Sequence, residues 1–162
     1  LLGKQIHWME QRIRELILSD EQLHTCYKRI LTAPGVGKVI ASFWLTLFAR
    51  KNHLNPRKIS SRFGFAPHEF QSGTSINRKK RSAQFGNTEM RRVMHQAARS
   101  VSYHHAHYRD YYHRKLEEGK PEKLIMNNII NKLIRTICAM WNNKMDYDPA
   151  YIKNLKKIHQ NA

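Results

Sequence analysis

The segment Gln71-Ser72-Gly73-Thr74-Ser75 places two serine hydroxyls in a short glycine-containing stretch, and the run Arg78-Lys79-Lys80-Arg81 follows it closely. A serine beside a glycine can present its Oγ where a bulky phosphate can approach, because the missing Cβ clears the way. Serine is a weak nucleophile until a base or a polarised electrophile assists it. Guanidinium groups supply the second kind of help by stabilising charge on a five-coordinate phosphorus. Arg78, Arg81, Arg91 and Arg92 are the nearby supply, with Ser72 the first candidate nucleophile and Ser75 the second. A Ser-Gly turn is also an ordinary structural turn in which the hydroxyl bonds its own backbone, so these residues alone do not establish catalysis.

A second constellation is Pro34-Gly35-Val36-Gly37-Lys38, set between an apolar helix end and an apolar helix start. This is the pattern of a helix-hairpin-helix. Two glycines permit unusual backbone angles and remove Cβ atoms, so the main chain at Gly35 and Gly37 can touch a phosphate. The N–H groups opening the next helix then point at the anion with the helix dipole behind them, and Lys38 adds a cation. Such a motif grips a nucleic-acid backbone without reading bases. The alternative is a tight turn between helices that binds nothing.

Other groupings lead less far. His104, His105, His107 and His113 cluster in sequence, but the acids and cysteines that would complete a metal site do not accompany them. No metal ligands are assigned. Tyr103, Tyr108, Tyr111 and Tyr112 could stack on unpaired bases or fill a helical core, and core packing suits them better. No Arg-His-Arg context makes any of them a recombinase nucleophile. Trp8, Trp44 and Trp141 read as core or interface. Cys26 and Cys138, 112 residues apart, form no disulfide framework and no CxxC knuckle, so reduced thiols are expected.

These candidates sit in a strongly basic chain. Across 162 residues there are 29 Lys and Arg against 12 Asp and Glu, a formal charge of +17. The imbalance is concentrated: residues 22–109 hold 16 Lys and Arg but only two acids, Glu69 and Glu89. A surface of that kind binds polyanions. Nucleic acid is the first expected partner. An anionic membrane is less well matched, because the basic residues do not line one amphipathic helix opposite an apolar stripe, and no apolar run reaches the ~20 residues needed to cross a bilayer. With 41% apolar residues the chain can bury a core. Its start, Leu1-Leu2-Gly3, suggests a piece of a longer protein.

The elements that must position the candidates are helices. Leu2, Ile6, Met9, Ile13, Leu16, Asp20, Leu23, Tyr27 and Ile30 alternate by four and three residues, a heptad seam that predicts one long helix over 4–31 in a coiled coil, between chains or against a helix of the missing N-terminal part, with a core helix packed on its own domain as the alternative. An apolar helix over 39–49 should bury Val39, Ile40, Phe43, Trp44, Leu47 and Phe48. Asn55-Pro56 starts a short helix that ends at Gly64. From Phe65 to Asn87 no helical period is visible, which predicts one long functional loop with room for a small hairpin. Helices follow from Asn87 or Thr88 to about Tyr103, over 106–118 to Gly119, and from Pro121 through Asn143, the last with Leu124, Ile125, Ile129, Ile130, Leu133, Ile134, Ile137 and Met140 inward.

Several of these motifs, in this order, resemble the C-terminal transposase domain of the DEDD-type insertion-sequence transposases, also called bridge-RNA-guided recombinases. They are Pro34-Gly35-Val36-Gly37, Gly64-Phe65-Ala66-Pro67, Gln71-Ser72-Gly73, Gly86-Asn87 and Met90-Arg91-Arg92, with Gly119-Lys120-Pro121 and Tyr147-Asp148-Pro149 downstream. The resemblance covers roughly residues 30–150. It implies a partner RuvC-like domain with four acidic ligands for Mg²⁺, absent from this sequence, and a coiled coil between the two domains. It further implies that the serine of Gln71-Ser72-Gly73 attacks a DNA phosphodiester and holds the strand as a phosphoserine.

The expectation is therefore an all-α fold: a coiled-coil helix over 1–31, a helix-hairpin-helix-containing domain over 32–150 and a basic tail over 151–162. The expected function is DNA handling by a transposase, inactive in recombination without its metal domain. Gly35, Gly37, Lys38, Arg78, Lys79, Lys80, Arg81, Arg91 and Arg92 would contact nucleic acid. Expected partners are DNA, a guide RNA and at least one further copy of the chain, in a bacterial cytoplasm at the nucleoid. A non-catalytic helix-hairpin-helix module for DNA or structured RNA remains the alternative, and a dimerisation fragment with merely solubilising charge a third reading.

Overall fold

The computed structural model describes residues 2–68, 71–72, 76–77, 81–82 and 87–150. The described residues form seven helices: α1 (Leu2–Leu18), α2 (Glu21–Leu31), α3 (Lys38–Phe48), α4 (Pro56–Arg62), α5 (Thr88–His104), α6 (Ala106–Glu117) and α7 (Glu122–Asn143). Four two-residue strands, β1 (Pro67–His68), β2 (Gln71–Ser72), β3 (Ile76–Asn77) and β4 (Arg81–Ser82), lie between α4 and α5. The fold is thus all-α, with small β-pairings where the sequence predicts a loop. The expected tail over 151–162 lies outside the described residues.

Most helix ends follow from local chemistry. Asn55 caps α4 by accepting from the N–H groups of Arg57 and Lys58, and Pro56 occupies the first turn, where its missing N–H costs nothing. Asn87 caps α5 by accepting from Met90 N–H. Gly119 follows the end of α6 with φ +71°, the left-handed angle that favours glycine.

The single helix expected over 4–31 is a correction. The chain breaks at Ser19-Asp20 into α1 and α2. The Asp20 side chain accepts from the N–H groups of Gln22 and Leu23 while its backbone is extended, so the one polar seam residue is an N-cap that starts a new helix. The seam divides at that point. Leu23 and Tyr27 pack against the core and Ile30 is within it, whereas Leu2, Ile6, Met9, Ile13 and Leu16 on α1 remain exposed.

The core is built on α7, which packs against α2, α4, α5 and α6. Ile125, Ile129, Ile130, Leu133, Ile134 and Ile137 are completely buried. Around them lie Ile40, Trp44 and Phe48 of α3, Ile59 of α4 and Met90, Val93, Met94, Ala97 and Val101 of α5. Two residues expected in the core are outside it. Leu124 is exposed in the first turn of α7, and Val39 is 62% exposed in the first turn of α3. The inward stripe of α3 is instead Ile40, Ala41, Trp44, Leu45 and Phe48. Trp44 and Trp141 are buried, but Trp8 is exposed. Of the tyrosines, Tyr108 is core, Tyr111 and Tyr112 are half-buried against it, and Tyr103 is exposed.

Candidate nucleic-acid interface

The Pro34–Gly37 turn joins α2 to α3, which pack on each other, and its two glycines do different work. Gly35 has φ +71°, and a Cβ there would lie 2.5 Å from Val101 Cγ1 and 2.9 Å from the Ala97 carbonyl oxygen. Its Cβ side is closed by α5, so packing demands glycine at position 35. Gly37 is the N-cap of α3 in an extended conformation, with no side-chain cap bond, and nothing lies within 4 Å of its would-be Cβ. Gly37, Lys38 and Val39 are all exposed. The first turn of α3 therefore presents backbone donors that no side chain caps to the outside, with Lys38 beside them, an arrangement that favours an anion. The outward aim of this turn is also why Val39 leaves the core.

Between α4 and α5 the backbone forms nested antiparallel pairings. Pro67 pairs with Ser82 and His68 with Arg81; further along, Gln71 pairs with Asn77 and Ser72 with Ile76. Two residues separate β1 from β2, but three separate β3 from β4, so one side of the arm accommodates an extra residue. Ser72 is the last paired residue before the three-residue connection. Ser75, Arg78, Lys79 and Lys80 lie outside the described residues, and Arg81 is placed by its backbone in β4.

The base of this arm is anchored by side chains that periodicity does not reveal. Asn127 Nδ2 donates to the Phe65 carbonyl oxygen at 2.9 Å and Asn131 Nδ2 donates to the same oxygen at 3.2 Å. Phe65 itself is buried. Farther along α7, Asn142 Nδ2 donates to Leu54 O at 2.9 Å while its Oδ1 accepts from Leu54 N–H at 2.7 Å. The Trp141 indole donates to Lys51 O at 2.9 Å. Both connections flanking α4 are thus tied to α7 by amide and indole groups 62 to 90 residues away in sequence. Polar residues interrupting an apolar helix are the only trace such contacts leave in a sequence.

On α5, Arg92 binds Glu89 through two hydrogen bonds of 3.0 and 2.9 Å. Arg91 is half-buried and engaged by a neighbour. His95 has its ring edge-on to Phe65, centroids 6.2 Å apart. Burial holds its pKa below the ordinary histidine value, and the charges of Arg91 and Arg99 add to that. Among the described residues no three His, Cys, Asp or Glu side chains gather to hold a metal ion. Glu89 is taken by Arg92.

Helices bearing basic residues, a paired arm and an outward helix start make up the candidate site. The family model described as "Transposase IS116/IS110/IS902 family" matches residues 27–113, from α2 through most of α6, and the chain belongs to that family. It is 25% identical over 162 residues, 95% of its length, to the pilin gene-inverting proteins of Moraxella lacunata and Moraxella bovis. It is 31% identical over 102 residues, 60% of its length, to the transposase for insertion sequence element IS1328 of Yersinia enterocolitica, covering 28% of that protein. The chain spans about half, 48%, of each pilin gene-inverting protein. No helix among the described residues is long and apolar enough to cross a membrane.

Proposed function

We propose that this chain is the nucleic-acid-handling, serine-bearing part of a transposase that cuts and rejoins DNA. The single observation that carries this reading is the position of Ser72, at the outer end of a paired arm whose base is anchored to the core. In the proposed step the Ser72 Oγ attacks a backbone phosphorus. One P–O bond forms to serine as one P–O bond to a deoxyribose oxygen breaks, and the serine proton passes through solvent to that oxygen, which leaves as a free hydroxyl. The number of phosphoesters is conserved, so rejoining needs no nucleotide. Arg78, Arg81, Arg91 and Arg92 supply positive charge to the phosphorane; Lys79, Lys80 and the Gly37-Lys38 helix start hold flanking phosphates. Sequence relatives named for transposition and for gene inversion support a strand-exchange role. A RuvC-like domain with Mg²⁺, a guide RNA, and association of chains through the α1 seam complete the proposal, in a bacterial cytoplasm at the nucleoid.

The test uses a longer protein that contains this chain, together with a suicide DNA substrate. Ser72→Ala should abolish the covalent protein–DNA adduct and leave DNA binding intact, because phosphate charge dominates the contact. Ser75→Ala should leave most of the adduct. Loss of the adduct in Ser75→Ala alone would move the nucleophile within the turn. An adduct that survives both changes would end the serine mechanism and leave the non-catalytic module as the reading.

A further inference from the structure

Helix α4 packs on α7, and two anchors fix how they lie. At one end Asn131 of α7 donates to the Phe65 carbonyl oxygen, and at the other Asn142 bonds both the N–H and the carbonyl of Leu54. Arg135 comes four residues after Asn131 and seven before Asn142, within about 40° of each around the helix. It therefore shares the stripe of α7 that carries the anchors, beside α4. On α4, Ile59 and Ser60 are buried, while Arg57, Lys58 and Arg62 are exposed, as is Arg135. None of these four cations makes an ion pair among the described residues. Arg62 has its guanidinium 6.0 Å from the centre of the uncharged Phe63 ring. The two helices supply no acid to answer them. Helix α4 has none, and the one acid of α7, Glu122, precedes Asn131 by nine residues, about 13 Å along the axis. Lys58 and Arg62 stand four residues apart, a like-charge spacing that weakens a helix, and α4 holds nothing that relieves it. The rings of this region, Phe63, Phe65 and Trp141, are buried. The face thus offers fixed charge without a platform for stacking unpaired bases, which suits the backbone of a duplex. It leads to the base of the arm, since Phe65 follows α4 by three residues and β1 begins at Pro67.

We propose that Arg57, Lys58 and Arg62 of α4, with Arg135 of α7, form a docking surface for the phosphodiester backbone of a DNA duplex, separate from the Gly37-Lys38 helix start. The surface holds the duplex next to the base of the arm. This rests on the nucleic-acid reading above and adds to it a face built from two helices. A phosphate seated between Lys58 and Arg62 offsets their repulsion.

The test is fluorescence anisotropy of the whole chain across a salt series, with duplexes of roughly 20 base pairs of DNA and of RNA in the same sequence. The variants are Lys58→Gln with Arg62→Gln, and Arg135→Gln alone. The controls are Lys4→Gln with Arg14→Gln, and Lys4→Gln alone, equal charge changes on exposed positions of α1. The double α4 variant should weaken DNA binding several-fold at low salt and lower the salt slope by about two, and Arg135→Gln should lower it by about one. The controls should change neither. Because Lys58 and Arg62 repel each other, their double variant should unfold at a urea midpoint equal to or above that of the unaltered chain, so that lost affinity is not lost fold. Arg135→Gln, on the other helix, decides the matter should the α4 variant unfold early. Slopes equal to those of the controls overturn the surface while leaving nucleic-acid binding in place. A larger loss with RNA than with DNA overturns its assignment to DNA. Failure of the unaltered chain to bind either duplex overturns the surface and the nucleic-acid reading together.

Discussion

Gly35 and Gly37 are two residues apart in one turn, and the structure makes opposite demands on them. In Gly35→Ala, the backbone must hold a side chain at φ +71°, which costs an L-residue about 1–2 kcal/mol. The new methyl also falls 2.5 Å from Val101 Cγ1 and 2.9 Å from the Ala97 carbonyl oxygen. The oxygen belongs to helix backbone and cannot swing aside, so α2–α3 and α5 must separate, an overpacking cost of about 1–3 kcal/mol. Together these give roughly 2–5 kcal/mol, or a midpoint lowered by roughly 4–20 °C for a chain of this size. Gly37→Val meets open space from an extended backbone and loses only N-cap preference, about 0.5–1 kcal/mol. Urea unfolding followed by the fluorescence of buried Trp44 and Trp141 gives the stabilities, and anisotropy with duplex DNA gives affinities of the folded chains. Gly35→Ala should be the unstable variant, and Gly37→Val the one that binds weakly while folding nearly normally. A Gly35→Ala midpoint equal to that of the unaltered chain would refute the steric argument. Unchanged affinity in Gly37→Val would make the whole turn structural.

Three further outcomes are expected. Leu16 on α1 is 57% exposed, so Leu16→Asp should leave helicity intact and dissociate a chain that sediments as a dimer or larger; a monomeric unaltered chain would show that the α1 seam does not pair with itself. Replacing Asn127 by Leu strands the buried Phe65 carbonyl on the weaker Asn131 bond, which should cost about 1–2 kcal/mol and reduce adduct formation in the longer protein more than DNA binding; an unaltered adduct yield would make the anchor purely structural. Burial pushes the Cys138 thiol and, despite a hydrogen bond with Thr136, the Tyr108 hydroxyl up to about 12 from ordinary values of 9.0 and 10.0. The folded chain therefore holds protons that the unfolded chain releases earlier, and stability complete below about pH 9 should decline toward pH 12, a slope that Tyr108→Phe should reduce.

The helical ends were legible because they depend on single residues acting locally. Asn55-Pro56, Asn87 and Gly119 each satisfy or terminate a helix by themselves, and the observed α4, α5 and α6 follow within a residue or two of the sequence reading. The break at Asp20 was not legible for a related reason. A heptad seam and an N-cap both tolerate aspartate, and only the extended backbone with bonds to Gln22 and Leu23 N–H decides between them. The two glycines of the turn look alike in sequence because their difference is the approach of α5, contributed by residues more than sixty positions away. The asparagine anchors of α7 escape for the same reason. The arm follows from Gly and Pro punctuation and missing helical period, and the Ser72 pairing with Ile76 adds the register.

The separation of apolar and basic residues explains how so charged a chain can fold and still serve a polyanion. The ion pairs Arg12–Glu15, Arg92–Glu89 and Lys115–Glu118 join helix neighbours three residues apart on the surface, where such pairs contribute at most about 1 kcal/mol each. They link no element to another. Cohesion falls instead to the buried faces of α7, α5 and α3 and to the amide anchors of α7, none of which requires a charge. Across residues 22–109 only Glu69 and Glu89 stand against 16 cations. Their mutual repulsion opposes the compact chain, and a polyanion bound as proposed would relieve it. On the proposed function, the free domain carries an electrostatic cost that a bound nucleic acid would remove.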